Sequence, residues 1–546
     1  MQRIVKIMAL HLLMIISSTS MAQDGVWQWH VDMPQSTNKK GMPKAYLWIP
    51  PSCQELKGLV LAQHNMEEIS ILEDAEFRLA MEEIDFGIIW YAPMFDVSFN
   101  FVQGAGEQFN KSLEDLAQKS GYDEITRVPY LAIGHSAAAS WPYYLAAWSP
   151  EKTICCISVS GQWPYVRNER VAPDIWGSKN IDYIPCLETM GEYEAAENWS
   201  NEGLKERQEH PLLPLSMLAC PGEGHFAAGS EKIDYIVQYI KKAIAYRMPS
   251  GSLPLVKIDP TKTGFLADRW KKKTEPRWSM APVAHYAGDA ADAFWFFDEE
   301  HAKATAAYQS RYRSKLVSLL GIEVCDSLVA QRNTHLQITL PFNKMNTDGK
   351  LAFKLSFLDS VPDGSPRLPV WTDLPVGAAL AHPTSTDALY LEKICGPFEV
   401  IDNSVIKLKL NRVCCDSEEN DYEAAFAIKY PGDEQFRAAV QQGNFFVAAN
   451  NIAGAEQEIV FPSISNIKSS KKSVKLHAKS TAGLQVAYYI VSGPVEVVDN
   501  ALQLTSIPAK SKYPIEVTVV AWQQGTTKEP LYQSAKVVKQ SFYITQ

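Results

Sequence analysis

Basic charge is what this sequence is short of. Its 52 lysines and arginines face 62 aspartates and glutamates, giving a formal charge of -10 and a pI near 5.7. A nucleic-acid binder needs a concentrated basic face to neutralise phosphates, so that class of partner is not expected. The one short basic cluster, "RWKKKTEPRW" at 269–278, reads as a solvated linker or surface turn. Metal-ligand spacing is missing too: no CxxC and no HExxH occurs, so neither a dedicated metal site nor a cofactor is expected. Beyond the first residues no segment reaches the roughly 18 uninterrupted apolar positions of a membrane span, so no membrane insertion is expected. Internal repeats and low-complexity tracts are also absent.

What is present is a long chain of ordinary globular composition. At 546 residues it exceeds one hydrophobic core, and two to four domains are the expectation. The opening "MQRIVKIMALHLLMIISSTSMAQDG" has a basic start, a short apolar core and a small-residue ending at Ser20-Met21-Ala22. That is the layout of a signal peptide over residues 1–22, which predicts an exported protein, periplasmic or secreted. Export permits disulfides, yet Cys155, Cys156, Cys186 and Cys220 lie in apolar strand-like runs, and the total of nine is odd. Buried free thiols are expected, with one bridge left open among Cys325, Cys395 and Cys414 or Cys415.

From 25 to 247 short apolar runs such as "GLVLAQH", "FGIIWYAP", "VPYLAIG", "TICCISVSG" and "LSMLAC" alternate with helical stretches. The pattern predicts an α/β domain whose mostly parallel sheet carries helices on both faces. Residues 248–264, rich in Pro, Gly and Ser, read as a linker. A β-rich domain with a helical start ("DEEHAKATAAYQSRYRSKLVSLLG") is expected over 265–458, and a small Ig-like β-sandwich over 459–546.

The chemistry-bearing stretch is "VPYLAIGHSAAASWPYYLAAW", 128–148. Gly134-His135-Ser136-Ala137-Ala138 fits the G-x-S-x-G nucleophile elbow, with alanine in the last glycine position. A serine on a strained strand-to-helix turn requires small neighbours two positions away. In the order that goes with this elbow, an acid and then a histidine follow, each after a later strand. Glu192 and Glu194 follow "IPCLETMG", and His225 follows "LSMLACPGEG". His225 is placed to take the serine proton, with a carboxylate to fix its tautomer. Aromatic residues cluster near the expected site; Trp163, Trp141 and Tyr193 are the candidate substrate contacts, with Tyr165 and Trp176 nearby.

On these motifs residues 25–247 resemble the α/β-hydrolase-fold esterases, close to the secreted feruloyl-esterase and polyhydroxybutyrate-depolymerase-like group. The resemblance implies a serine esterase with Ser136, His225 and a glutamate. The acid usually falls three residues after the glycine ending its strand, which selects Glu194 over Glu192. It also implies an oxyanion hole from the Ala137 N–H and a second donor in "AQHNMEE", Met66 or Asn65; Asn65 stands where the family has glycine. His64 reads there as a structural histidine, and Glu67 and Glu68 as a solvated helix start. The last ninety or so residues, notably "LQVAYYIVSGPVEV" and "YPIEVTVVAWQQG", resemble Ig-like modules at the ends of Bacteroidetes exported glycan-degrading proteins. Together these imply an exported carbohydrate esterase removing acetyl or feruloyl groups from an ester-bearing plant polysaccharide. Two alternatives stand beside it: an inactive hydrolase-like polysaccharide-binding protein, and a serine peptidase of the prolyl-oligopeptidase kind.

Overall fold

A computed structural model describes residues 25–33, 41–165, 175–226, 229–342, 349–417 and 419–546. The signal-peptide expectation at 1–22 lies outside the described residues. The apolar runs of the first half form eight strands: β1 (Trp29–Asp32), β2 (Lys44–Trp48), β3 (Gly58–Gln63), β4 (Phe86–Ala92), β5 (Tyr130–His135), β6 (Thr153–Val159), β7 (Cys186–Gly191) and β8 (Leu215–Cys220). They make one sheet in the order β1-β2-β4-β3-β5-β6-β7-β8. The pairs β1–β2 and β2–β4 are antiparallel, and all others are parallel. Every residue of β2 to β8 is buried, which is why these strands read as continuous apolar runs rather than as alternation.

Alternate side chains of the strands serve the two faces. Val60, Ile88, Leu131 and Ile133 pack on one side with Phe77 of α2 (Ala75–Glu83) and Ile236 and Ile240 of α6 (Ser230–Arg247). Leu61, Ile89, Tyr91 and Ala132 pack on the other with α3 (Ala105–Ser120), α4 (Trp141–Trp148) and α5 (Ala196–Glu209). Residues 68–83 do not form one continuous helix. The short α1 (Glu68–Leu72) stops, and Asp74 caps α2 by accepting the Phe77 N–H at 2.9 Å.

After the expected linker, β9 (Phe265–Asp268), β10 (Ala281–Pro282) and β11 (Ala293–Phe296) form a small antiparallel sheet that leans on β8, where Ser216 Oγ donates to Trp295 O at 2.6 Å. The helix expected from 298 to 321 ends early: α7 covers Glu299–Gln309, and Leu320–Val324 is a strand. Tyr312 and Ser314 take left-handed backbone angles, which a continuing helix cannot contain. The region that follows is β-rich, dominated by the long antiparallel pair Asp421–Tyr430 and Ala439–Ala448. The chain closes with a four-stranded and a three-stranded sheet whose inward residues include Val517, Val519, Phe542, Val495 and Leu502. All nine cysteines are free, eight of them buried and Cys325 exposed, so the bridge left open among Cys325, Cys395, Cys414 and Cys415 does not form. No helix among the described residues is long and apolar enough to cross a membrane.

Candidate active site

Strand β5 ends at His135, and the next residue, Ser136, has φ of 53°, a left-handed angle unusual for a non-glycine residue. The small neighbours follow from geometry. A Cβ on Gly134 would lie 2.1 Å from Ala138 O, and one on Gly161 would lie 1.9 Å from Ala139 Cβ. The turn is held from behind by the β3–α1 connection: Asn65 Nδ2 donates to His135 O at 3.0 Å, and the His135 N–H donates to Glu68 Oε1 at 2.8 Å. Ser136 and Ala137 are half-buried, so the hydroxyl is reachable.

The loop after β8 brings His225 to this turn, with Nε2 at 2.9 Å from Ser136 Oγ. On the ring's other side Glu194 Oε2 lies 3.4 Å from Nδ1. These partners assign the tautomer, with the proton on Nδ1 and the Nε2 lone pair toward the serine. Burial lowers the His225 pKa below the usual imidazole value and outweighs the opposing pull of Glu194, so the ring is a neutral base at neutral pH. Burial alone would raise the Glu194 carboxyl, but His225 and His335 beside it hold it well below the usual carboxylate range. Of the two sequence candidates, Glu192 turns away. It pairs with Arg437 and accepts the Gly222 N–H at 3.1 Å. Glu194 is the one that faces His225.

Several expectations are corrected. The Asn65 and Met66 N–H groups do not point at an open oxyanion site: both donate to Glu68 Oε2, at 3.1 and 2.9 Å. Glu67 and Glu68 are fully buried rather than solvated. Burial pushes the Glu68 carboxyl up to about 7, even though amide donors surround it. Trp141 and Trp163 are core residues with no exposed surface; Trp163 stacks on Phe294 at 5.8 Å and donates Nε1 to Trp199 O at 2.8 Å. Tyr193 sits edge-on to Trp371 at 3.5 Å and lines a cavity of about 490 Å³ beside Glu194. His64 packs edge-on against Trp90, as a structural histidine would.

Three residues that local sequence reasoning missed meet the site from the β-rich region. Arg367 Nη1 lies 2.7 Å from Glu194 Oε1, His335 stacks on His225 with ring centroids 4.3 Å apart, and Gln442 Oε1 accepts the Phe226 N–H at 2.6 Å. No motif marks them, since each lies more than 100 residues beyond His225 in the chain. The basic cluster carried a trace. Lys272 Nζ donates to the Val370 and Trp371 carbonyls, and Lys272 and Lys273 pair with Asp373, so this segment, exposed from Lys273 to Trp278 as a surface turn would be, also moors the helix α8 (Arg367–Thr372). Glu194, His225 and His335 each offer a ligand atom within 4.8 Å of the others, a spacing that could hold a cation. The Arg367 guanidinium on the same carboxylate opposes one electrostatically.

A hydroxyl on a strained turn, a neutral imidazole at hydrogen-bond distance and an ionised carboxylate behind it form the arrangement that nucleophilic acyl transfer requires. The mostly parallel sheet with helices on both faces and the elbow after β5 fits the α/β-hydrolase architecture. No family model matches the chain, and no curated protein is similar to it in sequence. Among solved structures it is similar to esterase PE8 (16% identity, 36% of this chain and 97% of that one, TM-score 0.27). It is also similar to Est1E from Butyrivibrio proteoclasticus (14%, 40% and 99%, 0.26) and to the S-formylglutathione hydrolase FrmB from Staphylococcus aureus (14%, 41% and 97%, 0.28).

Proposed function

We propose that the chain is an exported serine carboxylester hydrolase, a carbohydrate esterase that removes acetyl or feruloyl groups from plant polysaccharide. The single observation that carries the hydrolase reading is the 2.9 Å contact of His225 Nε2 with Ser136 Oγ on a positive-φ turn. As His225 takes the proton, Ser136 Oγ attacks the ester carbonyl; the imidazolium then protonates the departing sugar oxygen, which leaves as a hydroxyl. Water, deprotonated by His225, then attacks the acyl carbonyl; the Ser136 Oγ–acyl bond breaks, the acid leaves, and His225 returns its proton to Oγ. Glu194 stabilises the imidazolium in both halves. The Ala137 N–H is the proposed oxyanion donor. The signal-peptide layout and the Ig-like resemblance of the C-terminal module support export and a glycan substrate.

The test is exposure of the intact protein to a fluorophosphonate probe, followed by peptide mapping beside Ser136→Ala. One adduct at Ser136, absent from the variant, is expected, and turnover of acetylated or feruloylated glycans should follow it. A folded wild type that takes no adduct would favour the polysaccharide-binding reading. Cleavage of prolyl peptides without ester hydrolysis would favour the peptidase reading.

A further inference from the structure

We propose that Arg367 and His335, both supplied by the β-rich region, are positioning residues that hold the Glu194 carboxylate against His225. The inference rests on the proposed catalytic roles of Ser136, His225 and Glu194. It assigns the β-rich region a part in the active site rather than a place beside it.

A glutamate reaches its partner through three rotatable bonds, so a 3.4 Å contact to one imidazole does not fix its direction. Glu194 ends a single 3-10 turn, Glu192–Glu194, followed by Ala195 in the left-handed region, so its own backbone gives little support. Among the described residues its remaining side-chain contacts both come from the β-rich region. Arg367 Nη1 takes Oε1 at 2.7 Å, and His335 Nδ1 lies 3.5 Å from Oε2, the oxygen that faces His225. With Oε1 engaged by a guanidinium, the carboxylate plane is set and Oε2 is left for the imidazole.

His335 is itself fixed. Its ring lies on that of His225 with an interplanar angle of 16°, and its carbonyl accepts from Gln442 Nε2 at 2.8 Å. The same Gln442 takes the Phe226 N–H, so one side chain ties the His225 loop to the His335 loop. The approach is close enough that a Cβ on Gly224 would lie 2.6 Å from Gln442 Oε1.

The test follows two readouts in the full chain: kcat and KM with p-nitrophenyl acetate, and the His225 pKa by 15N-imidazole NMR. The titratable and charged groups around His225 are Glu194, His335, His135 and Lys232, and none of the variants alters Glu194, His135 or Lys232. Arg367→Ala is expected to lower kcat roughly tenfold or more. KM should stay within about twofold, because the lost contact is not with substrate. The His225 pKa should fall further, since Glu194 no longer supports the imidazolium. Arg367→Gln, which can still donate to Oε1, should recover most of both. His335→Phe keeps the stacked ring and should lose less than His335→Ala. If the alanine variant at 367 does not fold, Arg367→Met keeps the stem and replaces it.

Unchanged kcat and His225 pKa in Arg367→Ala would overturn the proposal. So would an effect confined to KM, or an upward pKa shift, which is the sign of a guanidinium acting only as a charge. If wild type neither turns over ester nor labels at Ser136, the catalytic reading fails, while the NMR shift still decides the positioning role.

Discussion

The Glu68 carboxylate accepts the Met66 N–H at 2.9 Å, and through the same oxygen the Asn65 N–H at 3.1 Å, while its other oxygen takes the His135 N–H. One buried side chain thereby joins the turn after β3 to the end of β5, directly behind the serine. Glu68→Ala would leave these amides without an acceptor, each at a cost of about 1–3 kcal/mol. A fall in urea midpoint together with slower labelling of Ser136 is expected. Unchanged stability would show that the amides find other partners.

The buried, neutral His225 sets the acid limb of activity. Its pKa lies below the usual 6.5, because desolvation outweighs the attraction of Glu194. Protonation of the base should therefore suppress kcat/KM only below that value, and the pH profile should stay flat from there through neutrality. An acid limb above 6.5 would contradict the environment described for the ring.

Much of the sheet and the elbow was legible because their signals are local. Continuous apolar runs mark buried strands, and Gly134 with Ala138 marks a turn that admits no bulk. The environment of Glu68 was not legible, since whether a carboxylate at a helix start is solvated depends on what packs over it. Here that is the end of β5, nearly seventy residues on. Arg367, His335 and Gln442 had no local signature for the same reason. Trp141 and Trp163 misled because an aromatic residue just after a strand can face either the site or the core, and periodicity does not separate the two.

Trp163 should accordingly affect stability rather than substrate affinity. Trp163→Ala removes a fully buried indole stacked on Phe294 and a hydrogen bond to Trp199 O. A loss of about 3–5 kcal/mol is expected from chemical denaturation. KM for a small ester, measured on the folded fraction, should not move.

Glu188, in the middle of β7, offers a test by pH. Burial pushes its carboxyl up to about 8, although Gly161 N and Trp199 Nε1 donate to it at 3.2 and 3.3 Å. Its folded pKa thus lies above the unfolded value, so its contribution is fully favourable below about 4.5 and is lost as pH rises through 8. Glu188→Gln keeps an acceptor for both donors and cannot ionise. It should lie close to wild type near pH 5 and gain on it by about 4 kcal/mol by pH 9. Parallel curves at the two pH values would show that Glu188 does not titrate in this way.

Glu192 and Glu194 lie two residues apart and face different arginines, which gives paired substitutions opposite signatures. Glu194→Gln leaves its Arg367 contact to a neutral oxygen and removes the charge that stabilises the His225 imidazolium. The expected result is a loss in kcat on the order of 10³–10⁴-fold with little change in stability. Glu192→Gln leaves the nearly buried Arg437 without its anion, a break of a buried pair that costs about 3–5 kcal/mol. Activity per folded molecule should stay near wild type. If Glu192→Gln were the one to silence the enzyme while Glu194→Gln kept its rate, the acid would have been assigned to the wrong carboxylate, and the positioning roles of Arg367 and His335 would fall with it.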